Sequence, residues 1–213
     1  MDFFKSMDVY CERVDSTYWS EPVNAISNLG FVLVGLFLLT KLEDKSDKWS
    51  VYFILNLIVI GIGSFLFHTH ANVWSLFADI IPIMVIVTTF FFYSFKNILK
   101  YSGARSSVFT FGIIGLGVYL NTLKLSYFNG SEAYFNVLAG LLFFSFILNK
   151  KDRVLSYKFV KATFVFVISL VFRSIDSSVC EAFPLGTHFL WHLNNSFLIY
   201  CLISISIYNH KSK

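Results

Sequence analysis

The chain has 213 residues, 56% of them hydrophobic and only 14% charged, against about 25% charged in a soluble domain. A soluble protein of this size could not hide so much apolar surface, so the composition points to a polytopic, all-α membrane protein. The net charge of +4 calls for no nucleic-acid partner, because the basic residues fall where a membrane topology places them.

The first 20 residues, MDFFKSMDVYCERVDSTYWS, lack the apolar core of a cleavable signal, and the first helix is expected to act as an uncleaved anchor. Residues 1–22 then form an outer amino-terminal segment of a single domain spanning 1–213. Seven apolar segments follow, at about 23–41, 51–69, 74–95, 106–123, 132–149, 157–175 and 187–208. Each is long enough for one helical crossing at about 1.5 Å per residue. Thirteen of the 17 Lys and Arg fall in odd-numbered loops and the carboxyl-terminal tail, and four in the amino-terminal segment and even-numbered loops, Arg173 among them. The positive-inside rule then predicts the amino terminus outside and the carboxyl terminus inside.

Cys11 and Cys180 both fall on the predicted outer side, where disulfides persist, and are expected to pair; two separate thiols are the alternative. Cys201, inside the seventh segment, reads as a small packing residue.

Ionisable and polar groups inside lipid are costly and mark function by default. Ser64 and His68 end the second segment, Asp79 lies just over one turn into the third, and His188 and His192 open the seventh. All five fall in the same third of the bilayer. His188 and His192 are spaced i, i+4, which aims two imidazoles from one helix face, a spacing that suits zinc. Three histidines and a water would make a catalytic zinc site with an open position, and Asp79 would be its general base or a supporting acceptor. Pro82 cannot donate to the Ala78 carbonyl, so the third helix is expected to open beside Asp79. Taken singly, each residue has a plainer reading: Ser64 could ease close helix packing next to Gly61 and Gly63, and Asp79 could pair with an arginine. His70 and His210 read as loop and tail residues.

Three blocks, YCERVDSTYWSEPVNAISN at 10–28, GIGSFLFHTHANVWSLFADIIP at 61–82 and GTHFLWHLNN at 186–195, resemble the alkaline ceramidases, seven-helix zinc amidases of membranes, and most of all their bacterial relatives. The resemblance implies zinc on His68, His188 and His192, with Ser64 and Asp79 completing the site, and a Cys11–Cys180 disulfide. It implies hydrolysis of the amide of ceramide or a related N-acyl lipid, entering from the membrane, to a fatty acid and a sphingoid-type amine. A bacterial cytoplasmic membrane is the expected location, with the site near the outer leaflet. Some relatives bind calcium beside the amino-terminal segment. Glu12 and Glu21 match that pattern, but Val9 stands where an aspartate is expected; Asp8 or Asp15 could serve instead as oxygen ligands. The alternative is that Glu12 and Glu21 order the segment by capping and by pairing with Arg13. Competing functions are a zinc hydrolase acting on another lipid ester or amide, and a non-catalytic receptor or transporter. A transporter should carry polar groups through the opposite leaflet, where Asn56 is the main one.

Overall fold

The computed structural model describes residues 2–212. Seven helices are long and apolar enough to cross a membrane: α1 (Pro22–Lys41), α2 (Lys48–His70), α3 (Val73–Ile98), α4 (Gly103–Thr122), α5 (Ser131–Leu148), α6 (Arg153–Val179) and α7 (His188–Lys211). Each packs on its neighbours in sequence, and α7 closes the ring by packing on α1 and α2 as well as α6.

Several helices begin before the apolar runs that announce them, because a polar cap adds a turn. Asp47 accepts from Ser50 N, Ser102 from Arg105 N and Asp152 from Leu155 N, and Asn72 and Ser75 form a reciprocal capping box. Each satisfies backbone donors that a helix start leaves free. The largest departure from expectation is α6. It was expected to end at residue 175 but continues to Val179, which places Asp176 on the helix rather than in the loop and sets Arg173, counted among the loop charges, well inside it.

The amino-terminal segment is fastened over one end of the bundle. Met7 N donates to Ala71 O and Trp74 N to Phe3 O across the α2–α3 turn. Cys11 is disulfide-bonded to Cys180, as expected. Buried Asp176 finishes the attachment: one carboxylate oxygen accepts from Thr187 N and His188 N, the other from Cys11 N. The start of α7 has no cap of its own, so α6 supplies it. Gly186 at this junction has φ +64°, and a Cβ there would collide with Asp176 and Cys11.

At the opposite end the polar groups satisfy one another. Ser50 Oγ bonds Asp47 and Ser206 Oγ, and Asn209 donates to Tyr93 OH. Donors from Ser46 and His210 hold the exposed Asp44 carboxyl down to about 2. Between the two ends lies a phenylalanine-rich core that includes Phe53, Phe90, Phe91, Phe144 and Phe159.

The α2–α3 contact depends on a missing donor. Pro82 sits inside α3, so the Ala78 carbonyl has no i+4 partner. Gly63 of α2 packs directly against that carbonyl, and a Cβ there would collide with its oxygen. The Gly63→Ala protein is therefore expected to lose about 1–3 kcal/mol of stability, the usual cost of overpacking. Gly112→Ala, at a site with no neighbour within 4 Å, is the control. Thermal unfolding in detergent measures both, and equal midpoints would contradict this account of the contact.

Candidate metal centre

The fold brings all five polar residues expected at the site to the end of the bundle under the amino-terminal segment. His68 of α2 and His188 and His192 of α7 are buried, and a ligating atom from each lies within 4.8 Å of the other two. The ring centroids are 5.2 Å (His68–His188), 4.7 Å (His68–His192) and 4.5 Å (His188–His192) apart. It is the one such cluster of three potential ligands among the described residues.

Hydrogen bonds fix which nitrogen two of the rings offer. Ser27 Oγ donates its single proton to Asn24 O at 2.7 Å. His192 Nδ1, 2.7 Å from the same oxygen, must then be the donor, so its Nε2 carries a lone pair. His68 Nδ1 lies 2.6 Å from a Glu21 carboxylate oxygen, again with a donor role for Nδ1. Its Nε2 is buried with no partner. His188 stacks on Tyr10, with centroids 3.6 Å apart and planes within 18°, and its Nδ1 has no partner. Unpaired buried nitrogens are costly. Three imidazoles so arranged fit a divalent ion of the zinc type, which neutral imidazoles bind readily.

Glu21 is itself positioned. Its other oxygen pairs with Arg13 Nε at 2.5 Å, and Arg13 also donates to Asp15 O (3.1 Å) and His68 O (3.1 Å). Arg13 thus holds both the carboxylate behind His68 and the backbone of His68. Glu12 accepts from Val23 N and Asn24 N and caps the start of α1. Burial raises the Glu12 carboxyl above its usual range, against the pull of those two donors. Asp15 bonds Thr17, and Asp8 is exposed. No three of the four carboxylates considered for calcium bring oxygens within 4.8 Å of one another. Glu12 caps α1 and Glu21 pairs with Arg13, the contacts that the alternative reading expects.

Ser64 and Asp79 line a cavity of about 220 Å³ together with His188 and His192. Asp79 has one buried oxygen without a hydrogen-bond partner, and Ser64 is its side-chain neighbour. From this polar end the cavity runs into the bundle between Ile83, Val87 and Phe90 of α3, Val137 and Leu141 of α5, and Leu198 and Leu202 of α7. Phe90 lies eleven residues beyond Asp79 and Leu202 ten beyond His192, so the apolar part reaches about 15 Å along the helices at 1.5 Å per residue. Tyr10 and Arg173 are among the cavity residues whose polar groups were not anticipated from the sequence. Burial pushes the Tyr10 phenol up to about 12, so it is neutral at physiological pH and accepts from Arg173 Nη1 at 3.2 Å.

A family model for Ceramidase matches residues 5–213. The chain therefore belongs to the ceramidase family. No curated protein matches it.

Supporting hydrogen bonds of this kind typically contribute ten- to a hundredfold in metal affinity. If the cluster holds a divalent metal, Glu21→Gln and Ser27→Ala are each expected to weaken its binding by about that factor without removing it. Competition with a chromogenic chelator measures the change. Unchanged affinity in both variants would mean that Glu21 and Ser27 only pack against the imidazoles.

Proposed function

We propose that the protein is a zinc-dependent hydrolase of the membrane interior that cleaves the amide of an N-acyl lipid, ceramide being the family's substrate. The observation that carries this reading is the two-part cavity. One end holds His188 and His192, with His68 of the same cluster behind them, a partly unsatisfied carboxylate and a hydroxyl; the largely apolar wall beyond reaches about half the thickness of a ~30 Å hydrocarbon layer. A polar reacting group at one end and a long chain beyond it is the shape of an N-acyl lipid.

Held by His68, His188 and His192, zinc would supply Lewis acidity at the polar end. The chain's own residues do the rest. Asp79 takes a proton from the attacking water and aims the water's oxygen at the amide carbon. Ser64 donates to the carbonyl oxygen as negative charge develops there, a contact of the type that supplies a few kcal/mol. Asp79 then returns the proton to the amide nitrogen. A C–O bond has formed and the C–N bond broken, leaving a fatty acid and an amine. The apolar wall holds the acyl chain and excludes competing water.

The reading extends to topology. The surplus of Lys and Arg at the end of the bundle away from the site supports an amino terminus, and a site, on the outer side. The disulfide agrees, since such bonds persist in oxidising compartments.

Three measurements follow. Asp79→Asn is expected to keep zinc while losing at least a hundredfold in amide hydrolysis. His192→Ala is expected to lose both. Metal analysis and lipid hydrolysis by purified protein separate these outcomes, and full turnover by either variant would sink the mechanism. For the topology, Lys124→Cys in intact cells should react with an impermeant thiol reagent while Lys151→Cys should not; the reverse pattern would invert the orientation.

A further inference from the structure

Arg173 is an intramembrane cation for which no carboxylate lies within ion-pair distance among the described residues. Its guanidinium lies 5.6 Å from the Tyr134 ring centroid and 5.5 Å from that of Trp191. Of its five N–H donors, one bonds Tyr10 OH, and Nε is shut off from solvent with no acceptor. The same side chain lines the cavity that holds Asp79, His188 and Ser64. Asp79 is close enough to act on it electrostatically but does not bond it.

An under-satisfied cation at this depth is expensive. The two aromatic rings offset part of the cost, yet rings accept no conventional hydrogen bonds. A ligand that brings an oxygen into the cavity would complete the hydrogen bonding of the guanidinium. A zinc ion would worsen the balance, since it adds positive charge at the same end. We propose that Arg173 is a substrate-recognition residue, donating to an oxygen carried by the amine half of the substrate near the amide. The preferred substrate class is then N-acyl amines with a hydroxyl or carboxylate close to the nitrogen, rather than N-acyl alkylamines. The rings of Tyr134 and Trp191 keep the guanidinium in place, and Tyr10 OH fixes its rotation.

This inference rests on the hydrolase reading for its kinetic test but not for its binding test. Three lipids sharing one acyl chain are compared: an N-acyl sphingoid base, an N-acyl amino acid and an N-acyl alkylamine. A charge-assisted hydrogen bond corresponds to a factor of roughly ten to a hundred. The wild-type protein is expected to bind and cleave at least one of the oxygen-bearing lipids tenfold better than the alkylamine. Whichever leads identifies hydroxyl or carboxylate as the partner. Arg173→Gln should erase that preference while changing the alkylamine less than threefold, and Arg173→Lys, which keeps the charge without the fork, should lie between. Equilibrium binding to metal-free protein is measured alongside turnover. If the substitutions weaken all three lipids by one factor, Arg173 is structural and the proposal fails. If no lipid is cleaved but the binding preference appears and vanishes with Arg173, the hydrolase reading fails and the recognition role stands.

Discussion

An imidazole buried in an apolar bundle has one N–H to place, and where it places it decides what the ring can do. In this protein Glu21 engages His68 Nδ1 and Ser27 engages His192 Nδ1, so two rings present lone pairs at Nε2 to a common point. Much else in the structure serves that arrangement. Glu21 immediately precedes Pro22 and Ser27 lies one and a half turns further on, so a single helix start carries both acceptors. That start is fixed by Glu12, whose carboxylate caps it. Arg13 neutralises Glu21 and also accounts for the His68 carbonyl. A carboxylate is tolerated beside the imidazole because the guanidinium is already there.

The third ring is handled differently, and the difference has a cause. His188 is the first residue of α7, where backbone donors are unpaired. Asp176 takes up the donors of Thr187 and His188 from α6, fixing the backbone rather than the imidazole. Tyr10 then fixes the ring plane by stacking. Tyr10 lies next to Cys11, which the disulfide joins to the end of α6 and whose N–H donates to the other oxygen of Asp176. The amino-terminal segment thus does more than cover the site; it sets one imidazole's orientation and another's tautomer.

Seven helices and the five polar residues were legible in the sequence because each announces itself locally. Apolar runs have a length that only a membrane explains, and Ser64, His68, Asp79, His188 and His192 are anomalous in such runs. The supporting contacts were not legible, because they join residues 47 to 165 positions apart and use types that look ordinary where they stand. Ser27 is one serine among many. Arg173 was counted with the loop charges because it lies within three residues of the expected end of the sixth segment, and its position on the helix made it look like an end-of-helix charge. Asp176 was passed over because the helix was expected to stop before it. The pairing of Glu12 and Glu21 with local donors was foreseen only as the plainer of two options, because a carboxylate that caps a helix and one that binds a cation read alike in sequence.

The charge distribution at the site end also limits what the cavity can hold. Glu21 is balanced by Arg13, and Glu12 by the amides of α1. Within the cavity wall one carboxylate, Asp79, faces one guanidinium, Arg173, without contact. Were the two bonded, each would be quenched: the carboxylate would be a weaker base and the guanidinium unavailable to a ligand. Separation keeps both usable, at an electrostatic cost that the surrounding apolar wall makes larger. A purely structural bundle gains nothing by keeping these charges apart, since apolar residues of similar volume would be at least as stable. The unsatisfied groups accord with the proposed reading, in which they are held for the occupant of the cavity, its reacting end near Asp79 and the histidines and its chain along the wall below.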